Sequence, residues 1–168
     1  MERGLTIRAA NGRNIGLLNY SAPRLTRFAS GDCAVEAACR AASSSQPAIG
    51  SLLLWRDEAH YLLLVRGQWG SASVAFRGCL DSVDQVIGRG RLPGDRLVLR
   101  LERQGSRVRA LCRADGGAWY TAGEAEFPGE DVVEVGLHAI GMIDRTVYPG
   151  AHPEGTAIRF DSFELWSG

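Results

Sequence analysis

The chain has 168 residues, 45% of them hydrophobic, with nineteen basic and nineteen acidic side chains and a formal net charge of zero. That is enough for one full hydrophobic core over residues 1–168, whereas two domains would each be small. The balance lacks the positive excess that steers a protein to a phosphate backbone, so nucleic acid is not an expected partner, and 21 glycines favour tight turns over long helices.

After an Asn11-Gly12 turn signal, the first long segment is residues 34–45. Val35, Ala38, Cys39 and Ala42 fit a helical stripe there, and propensity alone favours helix. With period two, Cys33, Val35, Ala37, Cys39 and Ala41 share one face instead, and the strand reading is preferred because every neighbouring segment is β. Residues 48–56 and 60–66 flank Asp57-Glu58-Ala59 as a hairpin, apolar on both faces and so central to a sheet. Residues 71–77 follow the Gln68-Trp69-Gly70 turn as a further strand. Residues 81–88 read either as a single helical turn capped by Asp81 or Ser82, or as a short strand over 85–87.

In residues 95–103, Leu97, Leu99 and Leu101 face one way and Arg96, Val98, Arg100 and Glu102 the other. Past Gln104-Gly105-Ser106, Val108, Ala110 and Cys112 share a face opposite Arg107, Arg109, Leu111 and Arg113. The pair is a hairpin with one wetted side, on which Glu102 or Glu124 offsets the arginine row. A turn signal at Pro128-Gly129 precedes Val133, Val135, Leu137 and Ala139, which alternate against Glu134, Gly136, His138 and Ile140. Residues 156–166 form a closing strand with a phase shift near Asp161, next to the first strand. Eleven to thirteen strands and at most one short helix make an all-β chain of two facing antiparallel sheets.

Several elements resemble a known family. LVLRLERQG at 97–105, RADGGAW at 113–119, VGLHAIG at 135–141 and FDSFELW at 160–166 occur in that order, with GSLLLWRDEAHYLLLVRG upstream at 50–67. The series resembles the concanavalin A-like (lectin/glucanase) jelly-roll domains of the DUF1349 type, related to the C-terminal accessory domain of family 43 β-xylosidases. The resemblance implies a jelly-roll sandwich. It implies no active site, because these motifs are sheet and turn chemistry and the ExDxxE strand of the superfamily's enzyme branch is missing.

Catalytic chemistry finds little support in the residues themselves. All nineteen basic side chains are arginine, which excludes a Schiff-base or P-loop lysine. Glu124 and Glu126 could stand at the separation of a glycosidase pair, but a charged outer face explains them better. His60, His138 and His152 lack zinc-site spacing, and no GxSxG elbow occurs. The expectation is therefore a non-catalytic module that binds an oligosaccharide or other glycan. Arg56, Arg66, Arg77 and His138 would line its polar face, near an exposed Trp69 or Trp119. Trp55 and Tyr61 read as core.

The alternatives are a structural or protein-interaction domain, such as a homodimer through one sheet, and a glycoside hydrolase. Related sandwiches imply a structural calcium near Asp161, though no loop here supplies the six to eight oxygens such an ion wants. Cys33, Cys39, Cys79 and Cys112 lack metal-knuckle spacing and read as free thiols. With no signal-peptide or membrane-span stretch, the sequence suggests a cytoplasmic protein, or a secreted one if it is cut from a longer chain.

Overall fold

The computed structural model describes residues 3–128 and 132–168, so the turn expected at 128–129 lies partly outside the described residues. Twelve strands form two six-stranded antiparallel sheets packed as a jelly-roll-like sandwich. The first sheet runs β1 (Leu5–Ala9), β12 (Thr156–Ser167), β3 (Cys33–Ala41), β8 (Arg96–Gln104), β9 (Arg107–Ala114), β10 (Tyr120–Glu126). The second runs β2 (Arg24–Ser30), β11 (Val132–Ala139), β4 (Gly50–Asp57), β5 (His60–Arg66), β6 (Ser73–Leu80), β7 (Val83–Arg91). No helix occurs among the described residues.

The alanine-rich segment is a strand because it sits between two partners. β3 pairs β12 on one side and β8 on the other, and Val35, Ala37 and Cys39 enter the core between the sheets. Two complete hydrogen-bonded ladders outweigh a helix preference of a few tenths of a kcal/mol per residue. The segment at 81–88 is likewise neither a helical turn nor a three-residue strand. Leu80 pairs Val83, leaving Asp81 and Ser82 at φ 51° and 64° as a two-residue hairpin turn into the nine-residue β7. The phase shift near Asp161 is a bulge: the pairing of β12 with β3 steps from Phe160 to Ser162.

The alternation read in β8, β9 and β11 sets the inner faces. Leu97, Leu99, Leu101, Val108, Ala110, Cys112, Val133, Val135 and Leu137 all lie in the core between the sheets. On the outer face of the first sheet, Glu124 takes Arg107 at 2.8 Å and Arg109 at 3.9 Å, offsetting the arginine row as expected. At the β7 and β10 edges the sheets touch at backbone level, and a Cβ on Gly88 would fall on the carbonyl of Ala122. All four cysteines are free and buried.

A second apolar core lies outside the sandwich. On the outer face of the second sheet Leu53, Trp55, Tyr61, Leu63, Val65 and Cys79 are covered by Ile15, Tyr20 and Ala22 from one loop and Ile140, Ile143 and Tyr148 from another. Apolar density on both faces of β4 and β5 thus reflects burial on both sides.

Candidate functional site

The second sheet's register arranges its outer face in rows. Glu134, Trp55, Tyr61, Cys79 and Asp84 make one row; Gly136, Leu53, Leu63, Arg77 and Val86 the next; His138, Ser51, Val65, Ala75 and Arg89 the third. Residues 14–22 close over this face as a small loop tied by the Ala22 amide donating to the Asn14 carbonyl at 2.9 Å. Arg77 anchors it, its Nη1 donating to the Ile15 carbonyl at 3.1 Å.

What stays open is a groove at the β6–β7 flank, of about 240 Å³, lined by Asn14, Gln68, Trp69, Arg77, Asp84 and Gln85 with Leu17 and Val86 on its rim. The turn before β6 presents Trp69: its backbone N–H donates to Ser73 Oγ at 3.0 Å, and the Gly67 amide donates to the Ser73 carbonyl at 2.9 Å. The Arg89 guanidinium lies 4.9 Å from the Trp69 ring centroid. Arg77 Nε donates to Gln68 Oε1 at 2.8 Å, and the Tyr61 hydroxyl donates to Asp84 Oδ1 at 3.1 Å. Burial, with Asp84 beside it, pushes the Tyr61 phenol well above its usual range, so it acts only as a neutral donor.

Two groove atoms are buried and unpaired among the described residues: Arg77 Nη2, a donor, and Asn14 Oδ1, an acceptor. Leaving such atoms unpaired costs roughly 1–3 kcal/mol each, more for a charged group.

The structure brings together only part of the expected set. Trp69 and Arg77 share the groove. His138 lies on the expected face but is fully covered, at 0% exposure. Neither of its ring nitrogens meets a partner in hydrogen-bonding geometry, although the Ser51 backbone comes near. Burial, assisted by the Arg77 charge, holds its pKa at about 3.

Arg66 is a correction. It shares a face with Leu62 and Leu64, not with the outer-face Tyr61, Leu63 and Val65, and is buried at the end of the sandwich. There it donates to the carbonyls of Cys39, Asp95 and Ser71. Arg56 is also elsewhere, reaching the Pro128 carbonyl at 3.4 Å and Asp57 at 3.8 Å. Trp119 follows β9 in the other sheet and stacks with Arg113 at 4.9 Å. Trp55 and Tyr61 are buried as expected, stacked at 5.2 Å, but in the outer core.

Asp161 sits on the β12 bulge and accepts hydrogen bonds from Arg96 at 3.1 Å and Arg159 at 3.2 Å, with Arg40 in ion-pair contact at 3.3 Å. Three guanidiniums hold its carboxyl below the ordinary value against the opposing effect of burial. A calcium ion would have to displace all three, so the residues present do not fit the ion inferred for this position. Among the described residues no group of three or more His, Cys, Asp or Glu is placed to hold a metal. Glu124 and Glu126 are engaged by Arg107 and by Ser106 on the outer face of the first sheet.

Sequence reasoning missed Asn14, Gln68, Asp84 and Gln85. Asp84 and Gln85 were hidden by the ambiguity at 81–88; the Asp81-Ser82 pair, read as a hairpin turn, would have placed them on an edge strand.

No family model matches the sequence, and no curated protein matches it. Solved structures do. A functionally unknown protein from Saccharomyces cerevisiae aligns over 98% of this chain and 88% of its own, with TM-score 0.72 and 15% identity. A xylan β-1,4-xylosidase from Bacillus halodurans aligns with TM-score 0.68 and 14% identity, over 96% of this chain but 32% of its own. The carbohydrate-binding module CBM66 from Bacillus subtilis aligns over 99% of this chain and 97% of its own, with TM-score 0.58 and 14% identity.

The chain shares their β-sandwich fold. This agrees with the jelly-roll resemblance read from the motifs, and at such identities it speaks to the fold alone. The chain spans about a third of the xylosidase it matches.

Proposed function

We propose that this chain is a non-catalytic carbohydrate-binding module whose site is the groove of Trp69, Arg77, Asn14 and Asp84. The observation that carries the reading is a partly open groove beside Trp69 whose lining is rich in hydrogen-bonding side chains, Asn14, Gln68, Arg77, Asp84 and Gln85. A sugar presents hydroxyls that both donate and accept, and C–H faces that pack on an indole. The groove of about 240 Å³ lies below the usual 300–1,000 Å³ of drug-sized sites and suits roughly one ring. Arg77 and Asp84 offset each other within the groove, and the Arg89 guanidinium against Trp69 adds one positive charge at its wall. The likeness to a structure described as a carbohydrate-binding module supports the same reading.

A glycan array followed by calorimetry tests it. Trp69→Ala should weaken the best hit about tenfold or more, as expected for losing a stacking wall, and Arg77→Gln should weaken it too, because it removes the anchor of residues 14–22 over the groove. Trp119→Ala should leave affinity unchanged. A blank array, or a loss caused by Trp119→Ala and not by Trp69→Ala, overturns it.

A second reading, association through a sheet edge, is favoured by edge strand β2, where Leu25 and Phe28 are 58% and 72% exposed. Light scattering on the eluted protein decides it: a dimer that Phe28→Glu converts to monomer supports edge association.

A further inference from the structure

The loop over the groove ends in an unusual turn. Gly16 and Asn19 exchange both backbone hydrogen bonds at 3.0 Å, so Leu17 and Leu18 are the two central residues of a hairpin turn, at φ 51° and 63°. Such turns select asparagine and glycine, because left-handed backbone forces a Cβ against the following carbonyl. Leucine is a poor occupant, and two in succession doubly so. Neither side chain is repaid by packing, since Leu17 is 77% exposed and Leu18 91%. The surroundings hold the strain in place: Asn19 Nδ2 donates to the Gly12 carbonyl at 2.9 Å, and Ser21 Oγ donates to Asn19 Oδ1 at 2.6 Å. Backbone strain with exposed apolar side chains serves no purpose in the fold itself.

The turn's position points to a purpose. Leu17 lines the Trp69–Arg77 groove, as does Val86, itself 49% exposed. Gly16 sits directly over the groove floor, where a Cβ would lie 3.1 Å from the Tyr61 hydroxyl and 3.4 Å from Arg77 Nη1. The groove therefore has a polar floor and an apolar lip.

We infer that the Leu17–Leu18 turn is a contact surface for the apolar aglycone of a glycoside whose sugar occupies the groove. This rests on the carbohydrate-binding reading and narrows it to glycosides whose sugar carries an alkyl or aryl group.

The test takes the sugar identified on the array and titrates its methyl and octyl glycosides, the latter below its micellar concentration. The native protein should bind the octyl glycoside about tenfold more tightly than the methyl, as burial of a few methylenes requires. In the Leu17→Asn, Leu18→Gly double variant that ratio should fall to about one, while the melting temperature rises by roughly 5 °C because the turn is relieved. The single Leu17→Ser variant, which keeps one leucine in the turn, should lower the ratio in the same direction. Equal binding of both glycosides by the native protein, an octyl preference that survives the double variant, or a double variant that melts lower overturns the inference while leaving the sugar site standing. Binding of neither glycoside overturns the carbohydrate reading and the inference with it. Self-association abolished by the double variant assigns the turn to a second copy of the chain and overturns the inference too.

Discussion

His138 provides the sharpest quantitative consequence of the outer core. Its ring is fully buried, beside Arg77, and its pKa falls from 6.5 to about 3. The folded protein therefore keeps it neutral while the unfolded chain takes up a proton below 6.5. Stability that is whole near neutral pH is lost progressively as pH falls from 6.5 towards 3. At pH 5 the loss from this one group is about 2 kcal/mol, and it approaches 5 kcal/mol at the acid limit.

His60 acts in the opposite sense. Its contact with Asp81, joined by Asp57, raises its pKa against a smaller effect of burial, so its contribution is present at low pH and disappears as pH rises through the folded value. Asp57 and Asp161, both lowered, lose their contributions only below the ordinary carboxylate value of 3.8. Comparison with His138→Leu removes these shared effects. Urea unfolding of both proteins at pH 7 and pH 5 should show the native protein losing about 2 kcal/mol more than the variant over that interval. Parallel losses would refute the burial of a neutral His138.

Asp161→Asn should cost about 2 kcal/mol by thermal or urea unfolding, less than a fully buried pair because the carboxylate is 20% exposed. Neither calcium nor EDTA should move the melting temperature, since arginines occupy that carboxylate; a calcium-dependent rise would contradict this. Gly88→Ala should destabilise by about 3 kcal/mol or more, because the new methyl meets the Ala122 carbonyl and neither sheet edge can retreat. A thiol reagent should find none of the four buried cysteines in the folded protein and all four after unfolding, with burial raising each thiol's pKa.

The strands were legible because period two survives wherever one face is wet. Leu97, Leu99 and Leu101 against Arg96, Arg100 and Glu102 is such a case, and the bulge at Asp161 showed as a break in the same rhythm. The site was less legible, for a physical reason. Alternation tells which residues share a face but not what covers it, and residues 10–23, rich in turn formers, gave no sign that Ile15, Tyr20 and Ala22 cap the second sheet. His138, on the same outer face, is fully buried rather than exposed. Arg66 was placed outside because the apolar Tyr61, Leu63 and Val65 face was taken for the core, whereas both faces of β5 are buried. The arginine clamp on Asp161 joins β3, β8 and β12, strands far apart in sequence.

The central claim is that ligand enters the groove beside Trp69. The four tryptophans lie in different environments, Trp55 buried in the outer core and Trp69, Trp119 and Trp166 at separate surface positions, so their indole N–H resonances report separate places. Titration of ¹⁵N-labelled protein with the array's best sugar should shift the Trp69 indole and the Gln68 and Gln85 side-chain amides, leaving the Trp119 and Trp166 indoles in place. A saturable shift at Trp119 or Trp166 with Trp69 unmoved would contradict it.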